Sequence, residues 1–335
     1  MTWLVTGGAG YIGSHVVQAF LDAGMTAVVL DDLSSGRREF VPEGVPLVVG
    51  SITDVDVVAG VFRDHDVEGV VHVAGYKYAG VSVREPLICY HVNVEGTRVL
   101  VEQCLAADVR AVVFSSSAAV FGTPDVDLVT EDTPKAPESP YGESKLIGEW
   151  LLRDTARVFE QLGQPAFRHT SLRYFNVVGS GIPTVYDVSP HNLFPIVLAT
   201  VTDGRRPVVF GDDYATPDGT CLRDYIHVTD LADAHVKALE AIMETGTSRI
   251  YNLGTGHPHS VRDVIEAVER VTGLPVPWTL APRRPGDPAV LYAAANKAKS
   301  ELRWTPRFAD LDSIVRTAWN WHQGRAQRAG AGHRA

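Results

Sequence analysis

Short apolar runs rich in valine alternate with helical patterns through the first half of the chain. The runs are continuously apolar and lie at 3–6, 27–30, 47–50, 69–74 and 111–117. The helical patterns lie around 12–23, 54–65 and 92–107. Strands covered by helices on both faces have this pattern, because neither face of the sheet meets water. The alternation predicts an α/β fold built on a doubly wound parallel sheet.

The second half of the chain is less regular. Proline-punctuated loops are predicted at 181–195, 205–219 and 275–288, and helices near 229–244, 260–272 and 310–322. The stretch RIYNLGTG (249–256) is typical of a strand followed by a turn, and it could rejoin the first sheet. We predict a first domain over 1–175, to which segments near 221–256 partly return, a smaller discontinuous α/β domain over 176–323, and a flexible tail over 324–335.

A helix beginning at SPYGESKLIGEW (139–150) would carry a phenol and an ammonium on one face. Ser139 is a suitable N-cap, and Pro140 fits the first turn. Tyr141 and Lys145 are four residues apart, so they lie one turn apart on the same side of the helix. Two interpretations are open: a surface helix with an incidental pair, or a tyrosine made acidic enough to move protons.

A glycine-rich stretch, VTGGAGYIGSH (5–15), joins the first strand to the first helix. It satisfies both GxGxxG and GxxGxxG, through Gly7, Gly8, Gly10 and Gly13. Glycines permit a tight turn and the close approach of a pyrophosphate, to which the amides at the start of the helix can donate. The order of strand, turn and helix favours dinucleotide binding over a turn that only packs helix on strand.

An acid at the end of the second strand indicates which dinucleotide binds. Asp31 follows Gly13 by 18 residues, close to the spacing of about 20 expected for a carboxylate on the adenosine ribose. A carboxylate there repels a 2′-phosphate, so the sequence predicts NAD rather than NADP. Asp32 is the second candidate for this contact.

The stretch FSSSAAVFG (114–122) places serines at the carboxyl end of a predicted central strand, where open α/β sheets bind ligands. Ser117 could bond a substrate hydroxyl and the Tyr141 phenol, while Lys145 could hold the nicotinamide ribose. A unit charge about 6 Å away, at an effective dielectric of about 20, lowers a tyrosine pKa of about 10 by about two units. We therefore predict a catalytic set of Ser117, Tyr141 and Lys145, with a phenol that is poised once the positive ring of NAD⁺ is bound.

Composition narrows the class of protein. The 335 residues carry a formal net charge of −10, which disfavours nucleic acid and anionic membranes as partners. The 3 cysteines are widely spaced, which predicts buried free thiols in a reducing compartment. The start of the sequence shows no signal-peptide pattern and no apolar run reaches membrane-spanning length, so a cytoplasmic location is expected. The histidine pair at 257–259 has no further nearby ligands, so no metal site is predicted.

Taken in order, several motifs resemble the extended short-chain dehydrogenase/reductase superfamily, and within it the UDP-glucose 4-epimerase family. The resemblance runs from residue 1 to about 322 and is carried by GGAGYIGSH, DDLSSG (31–36), AGYK (74–77), NVEGT (93–97), the SSS strand, YxxxK, RYFNVVG (173–179), DGTCLRDYIHVTDLADAH (218–235), YNLGTG (251–256) and APRRPGD (281–287). It implies a Rossmann-type fold and an isomerase of nucleotide-sugar and galactose metabolism. It also implies a homodimer formed by two helices around 92–107 and 141–160.

The resemblance further implies a mechanism and a set of contacts. Tyr141 would take the proton of the sugar O4 while C4 gives its hydride to tightly held NAD⁺; the 4-keto sugar would rotate, and the hydride would return to its opposite face. The implied cofactor residues are Gly7, Gly10, Tyr11, Ile12, Gly13, Asp31, Ser51, Ile52, Lys77, Asn93, Ser115, Tyr141, Lys145 and Tyr174. The implied UDP-hexose residues are Lys77, Ser117, Tyr141, Asn176, Asn192, Leu193, Phe210, Arg223, Arg284 and Asp287.

Some positions allow more than one role. A pyrophosphate needs fixed positive charge, but Arg223 and Arg284 could instead form surface ion pairs, for example with Asp224 or Asp287. Ser51 stands where the family often has an acid beside the adenine. Leu291 matches a place where side-chain bulk is associated with admitting or excluding N-acetylated sugars.

Related activities share the fold and YxxxK. Nucleotide-sugar dehydratases and decarboxylases resemble one another in carrying acids just after the serine strand, whereas Ala118 and Ala119 follow Ser117 here. Alanine cannot accept or deliver a proton, which favours epimerisation over loss of water. Three more functions stay open: an epimerase on UDP-N-acetylhexosamine or dTDP-hexose, a net oxidoreductase, and a non-catalytic dinucleotide sensor, which would be expected to lose Tyr141 or Lys145.

Overall fold

The computed structural model describes residues 2–284 and 287–331, and beyond Trp321 only the backbone of the last helix. Its strands, in chain order, are β1 (Thr2–Thr6), β2 (Thr26–Asp31), β3 (Leu47–Val49), β4 (Val67–His72), β5 (Ala111–Ser117), β6 (Leu128–Val129), β7 (Arg168–Tyr174), β8 (Asn176–Val178), β9 (Val208–Phe210), β10 (Leu222–His227), β11 (Arg249–Leu253), β12 (Pro258–Ser260), β13 (Thr279–Ala281) and β14 (Val290–Ala293). Its helices are α1 (Tyr11–Asp22), α2 (Val55–Asp64), α3 (Ala79–Ser82), α4 (Pro86–Tyr90), α5 (Gly96–Ala106), α6 (Pro140–Gln161), α7 (Leu193–Asp203), α8 (Val228–Thr245), α9 (Val261–Thr272), α10 (Asn296–Glu301) and α11 (Leu311–Ala331).

A seven-stranded parallel sheet runs through the described chain in the order β11-β7-β5-β4-β1-β2-β3. Because the order reverses between β1 and β4, the carboxyl ends of these strands border the crevice in which such sheets bind ligands. The predicted doubly wound sheet is confirmed, and the strand expected at 249–256 does return to it as β11.

Each strand of the large sheet contributes side chains to two hydrophobic cores, one on each face, which is why the apolar runs are continuous. Leu4 and Val5, which are adjacent in β1, belong to different hydrophobic clusters, since successive side chains of a strand point to opposite faces. Helices α1 and α8 cover one face, and α2 and α5 cover the other. The order of the elements thus follows from valine-rich strands that must be sandwiched between helices.

The smaller sheet has the order β12-β10-β14-β6, with β8 also paired to β10. A further parallel pair joins β9 to β13. Beside these strands, α7, α9 and α11 pack around a separate cluster that includes Phe194 and Ile314. Of the predicted returning region, β11 joins the large sheet, whereas β10 belongs to the smaller one.

Some sequence predictions for the second half were wrong. The expected loops over 205–219 and 275–288 contain β9 and β13, and α7 begins inside the loop expected over 181–195. Helix α11 extends to Ala331, and the flexibility expected of the tail over 324–335 stays a prediction. Residues 332–335 lie outside the described residues.

Candidate active site

The glycine turn forms a cradle at the start of α1. Gly7 has φ +72°, and a Cβ placed there would lie 2.6 Å from the backbone nitrogen of Ala74. A Cβ at Gly13 would lie 2.1 Å from the carbonyl oxygen of Gly7, so the helix could not approach the turn. Within the described chain no side chain caps α1 at Gly10. The first amides of the helix are thus available to an anion.

The two residues predicted to follow this turn point in different directions. The Tyr11 hydroxyl donates to the carbonyl of Gly179 at 2.6 Å, which ties the turn to the segment after β8. Ile12 packs against the hydrophobic core. Only the backbone amides of these residues therefore fit the expected cofactor contact.

Asp31 ends β2 beside the glycine turn. Its carboxylate accepts hydrogen bonds from the amides of Ala9 and Leu33, at 3.0 and 2.8 Å. Burial raises the pKa of Asp31, although both amides and the charge of Lys77 act in the other direction. Asp32 lies outside this arrangement and accepts bonds from Ser34. The acid ranked first by the sequence is the one held beside the turn.

The segment after β3 lies along the same edge of the sheet. The Ser51 hydroxyl shares a hydrogen bond with that of Thr53 at 2.9 Å, and Ile52 is buried against Gly96. A short polar side chain thus stands where the resemblance leads one to expect an acid.

Asn93 lies in a π-helical turn, His91–Glu95, directly before α5. Its side-chain oxygen accepts from the Tyr76 amide at 2.6 Å, and its nitrogen donates to Ser144 at 2.8 Å. A Cβ at Gly75 would lie 2.8 Å from Asn93 and 3.5 Å from the Lys145 ammonium. Asn93 therefore fixes the chain beside Lys145, and its predicted contact with the cofactor stays a prediction.

The segment after β4 also carries Lys77. The Lys77 ammonium lies 5.6 Å from the centre of the Tyr78 ring. Its charge acts to lower the pKa values of both Asp31 and Asp187. Lys77 is therefore within electrostatic reach of both carboxylates.

The predicted catalytic set converges at the carboxyl end of β5. Ser139 caps α6 by accepting from the Gly142 amide at 3.2 Å, as expected. The Lys145 ammonium donates to the Ser115 carbonyl at 2.9 Å and lies 6.0 Å from the centre of the Tyr141 ring. The Ser117 hydroxyl is a hydrogen-bond partner of the Tyr141 phenol. The pair on α6 faces the serine strand rather than solvent.

The pKa expected for the phenol was wrong in direction for the protein without cofactor. Burial raises the pKa of Tyr141, and the hydrogen bond with Ser117 offsets this only in part. Burial also lowers the pKa of Lys145 to about 8. Both groups lose hydration in this site, so each shifts toward its neutral form.

Tyr174 and Ser115 lie next to this set. Ser117 pairs in register with Tyr174 across β5 and β7. Burial and the neighbouring Tyr141 raise the pKa of Tyr174, while a hydrogen bond with Ser115 acts to lower it. The Ser115 hydroxyl also shares a hydrogen bond with His235 at 2.9 Å. The two predicted cofactor residues thus form the wall beside the catalytic set.

Three of the predicted substrate residues lie on the smaller sheet or at the start of α7. Asn176 donates to the Asp224 carbonyl at 3.0 Å, and Asn192 donates to Asp187 at 2.6 Å. Leu193 is the first residue of α7 and packs on its core. Both asparagine side chains already donate hydrogen bonds within the protein, so their contacts with a sugar stay predictions.

The remaining substrate candidates form two close pairs. The guanidinium of Arg284 lies 3.9 Å from the centre of the Phe210 ring. Arg223 forms an ion pair with Asp287, and the Arg223 side chain is 14% exposed. The ion pair considered possible from the sequence is therefore present, but it is largely shielded and joins residues from two parts of the proposed site.

One buried pair was missed by the sequence reasoning. Arg173 in β7 makes two hydrogen bonds to the Glu149 carboxylate of α6, at 2.8 and 2.6 Å, and Ser116 donates to Glu149 at 2.6 Å. These bonds fasten the helix that carries Tyr141 and Lys145 to both β5 and β7. A charge inside an otherwise apolar strand run was the signal that could have revealed it.

All 3 cysteines are free and buried, as predicted. In the described residues, no group of three histidine, cysteine, aspartate or glutamate side chains could hold a metal ion. Over the same part of the chain, none of the helices combines the length and the apolar character needed to cross a membrane.

The glycine cradle, Asp31 and the set of Ser117, Tyr141 and Lys145 define a Rossmann-type dinucleotide-binding enzyme with a tyrosine–lysine site. The chain belongs to the NAD dependent epimerase/dehydratase family, which residues 3–254 match.

Relatives agree with this assignment over almost the full length. The chain is 46% identical over 333 residues to the UDP-glucose 4-epimerase of Azospirillum brasilense, covering 98% of this chain and 93% of the relative. It is 46% identical over 326 residues to that of Streptomyces lividans, covering 96% and 95%. A solved UDP-glucose 4-epimerase from Bifidobacterium longum in complex with NAD+ and UDP superimposes with a TM-score of 0.88 at 37% identity, covering 97% and 99%. The resemblance inferred from the motifs is confirmed.

Proposed function

We propose that this protein is an NAD-dependent isomerase that inverts C4 of a UDP-hexose and interconverts UDP-glucose and UDP-galactose. The observation that carries the proposal is the convergence of Ser117, Tyr141 and Lys145 at the carboxyl end of β5, on the same edge of the sheet as the glycine turn. Two alanines occupy the positions where related dehydratases carry acids. Family membership and the full-length similarity to UDP-glucose 4-epimerases support it.

The residues present fit NAD. The cradle at Gly7 and Gly13 would be filled by any side chain, and the uncapped start of α1 offers amides to a pyrophosphate. Asp31 would hold the adenosine ribose, and Lys145 the nicotinamide ribose. Bound NAD⁺ supplies a reversible hydride acceptor. The chain's own part is to orient the sugar, to exclude water and to move one proton at the Tyr141 oxygen.

Two arginines would hold the diphosphate of the substrate. Arg223 is paired with Asp287, and Arg284 lies against the Phe210 ring. In a chain with a net charge of −10, these guanidinium groups provide the local positive charge that a pyrophosphate requires.

The turn after the serine strand favours epimerisation. Ala118 and Ala119 form a 3-10 turn directly after Ser117. They offer no acid or base that could remove water across C5 and C6. Tyr141 is therefore left as the group that can exchange a proton with the sugar, at O4.

The proposal is tested with purified protein to which no cofactor is added. We expect bound NAD, seen by absorbance after denaturation, and interconversion of UDP-glucose and UDP-galactose. A requirement for stoichiometric added NAD would indicate a net oxidoreductase. Absence of any turnover with NAD bound would indicate a sensor. Rates on UDP-N-acetylhexosamines and dTDP-hexoses, measured in parallel, would rank the further substrates that Leu291 leaves open.

Replacing Asp31 with alanine is expected to lower the preference for NAD over NADP by about tenfold or more, about 1.4 kcal/mol. The reason is that a buried carboxylate beside the turn repels a 2′-phosphate. Dissociation constants of both cofactors, measured on cofactor-stripped protein, check this. Asp32→Ala is the matched control, because its neighbouring carboxylate is turned to Ser34; an equal change in both variants would contradict the ribose contact.

The protein is also proposed to form a homodimer in the cytoplasm. Apolar side chains are exposed on α4 and α6, including Leu87 (81%), Ile88 (52%) and Trp150 (45%). Trp150 lies on one of the two helices from which the dimer was predicted, and Leu87 and Ile88 lie on α4, shortly before the other; the free cysteines suit a reducing compartment. Sedimentation should give twice the chain mass, and Leu87→Lys with Trp150→Lys should shift it toward a monomer; a wild-type monomer would contradict the dimer.

A further inference from the structure

Asp224 is a buried carboxylate whose partners all belong to neighbouring backbone and one hydroxyl. One of its oxygens accepts from the Thr255 amide and hydroxyl, both at 2.8 Å. The other accepts from the amides of Gly256 at 3.1 Å and Ala293 at 3.2 Å. These four donors are neutral, so the carboxylate acts as a junction between chain segments and not as one half of an ion pair.

The junction lies beside a short ladder of the smaller sheet. Strands β10 and β14 share only two register pairs, Leu222 with Val290 and Arg223 with Leu291. The bond from Ala293 to the Asp224 side chain fastens the strand end that this ladder leaves unpaired. The carbonyl of Asp224 accepts from Asn176, which adds β8 to the same junction.

The third segment held by Asp224 comes from the large sheet. The turn at 254–256 directly follows β11, the edge strand of the seven-stranded sheet. A Cβ at Gly254 would lie 2.4 Å from the Asp224 carboxylate, so this turn is packed directly on it. One side chain thus links the sheet that carries the cofactor site to the sheet that carries the substrate residues.

We propose that Asp224 is a positioning residue for the diphosphate site, acting through its neighbour Arg223. By fastening β14 and the turn at 254–256 to β10, it sets the place of Arg223 relative to Asp287, which precedes β14. The inference rests on the proposed function, because it concerns the binding of a UDP-sugar.

Asparagine is the discriminating replacement. It has the same shape, but its single oxygen can serve only one of the two pairs of donors, and its NH₂ group would face donors on the other side. Asp224→Asn should therefore loosen β14 or the turn at 254–256 while leaving Ser117, Tyr141 and Lys145 in place. The loss should fall on substrate affinity rather than on bound NAD.

The matched control is Asp230→Asn. Asp230 is equally buried and also uses its carboxylate to hold backbone, accepting from the amides of Arg307 and Phe308, both at 3.0 Å. It belongs to α8 and contacts none of the predicted substrate residues that the structure describes. One oxygen of Asp230 accepts from both amides and the other faces the Arg307 guanidinium at 3.4 Å, so asparagine can keep the backbone bonds there. A general loss of stability in Asp230→Asn should therefore leave UDP binding unchanged.

The experiment measures UDP binding to the NAD-loaded proteins by calorimetry, together with bound NAD and the split between KM and kcat. For Asp224→Asn we expect the Kd of UDP and the KM to rise about 10- to 100-fold, with bound NAD unchanged. For Asp230→Asn we expect both within about twofold of the wild type. Equal UDP affinity in Asp224→Asn and the wild type, or equal losses in the two variants, would overturn the assignment.

A milder variant keeps the test decisive if Asp224→Asn does not accumulate as folded protein. Thr255→Val removes one donor and leaves the carboxylate, and it should weaken UDP binding about threefold; unchanged affinity would overturn the proposal. Wild-type protein that binds NAD but not UDP would instead contradict the proposed function itself, so the two failures are distinguishable.

Discussion

Tyr141→Phe is expected to lose turnover by about 100-fold or more while keeping its NAD, because the ring stays in place and the proton-exchanging oxygen is removed. The phenol is the group on α6 that faces Ser117, and Lys145 lies beside it. Burial holds both side chains toward their neutral forms in the cofactor-free site, which suits a phenol that exchanges a proton rather than one that is permanently ionised. Initial rates with UDP-galactose and the NAD content of the purified variant check this.

Tyr251→Phe provides the matched control. It removes a hydroxyl that donates to Glu301 at 2.9 Å on the far edge strand, so it should lower stability slightly and leave turnover near the wild-type value. Near-normal turnover in Tyr141→Phe would reject the assigned role, whatever its effect on stability.

Acidification from pH 6.5 toward pH 4 is expected to unfold the cofactor-free protein. Burial lowers the pKa values of five histidines to between about 3 and about 4: His15, His72, His169, His227 and His235. A histidine in the unfolded chain has its usual pKa of about 6.5. Below that pH, these five side chains bind protons in the unfolded chain but remain neutral in the folded one. The stabilisation is complete above pH 6.5 and is lost as the pH falls, by about 1.4 kcal/mol per pH unit for each such histidine.

Denaturant titrations at pH 7.5 and pH 5.5 measure this difference in the free energy of unfolding. The raised pKa values of Asp31 and Asp187 act in the opposite direction, but they are two groups against five. His169→Phe should reduce the pH dependence, since within the described residues the Nδ1 atom of His169 has no hydrogen-bond partner. His257→Gln, at an exposed position, should leave it unchanged. A flat stability between the two pH values would show that these histidines titrate normally.

The large sheet could be predicted from the sequence because its signal is local. Each valine-rich run became a strand within a few residues of its expected limits, since a strand covered on both faces is apolar over most of its length. The smaller strands carry no such pattern. In the pair of β9 and β13, Val208 and Leu280 are 41% and 51% exposed. Because these short strands are only partly covered, their sequences lack an apolar pattern, and a loop was predicted at both places.

The residue types at the site could be predicted from the sequence, but the direction of the Tyr141 pKa shift and the contacts between distant segments could not. Spacing alone placed Tyr141 next to Lys145 and named Asp31 ahead of Asp32. The direction of the Tyr141 pKa was wrong because the loss of hydration depends on how many distant segments cover the ring, and no local motif records this. The ion pair of Glu149 and the junction made by Asp224, which was considered only as an ion-pair partner, were missed for the same reason, since their partners lie more than 20 residues away along the chain.

Strand β11 lies far along the sequence from its partner β7, which affects how the chain folds while it is being synthesised. The ribosome synthesises β5 and β7 long before β11. During that time the edge of the sheet at β7 is unpaired, and the face that α8 will cover is exposed to solvent. An N-terminal fragment ending near residue 175 is therefore expected to aggregate rather than fold.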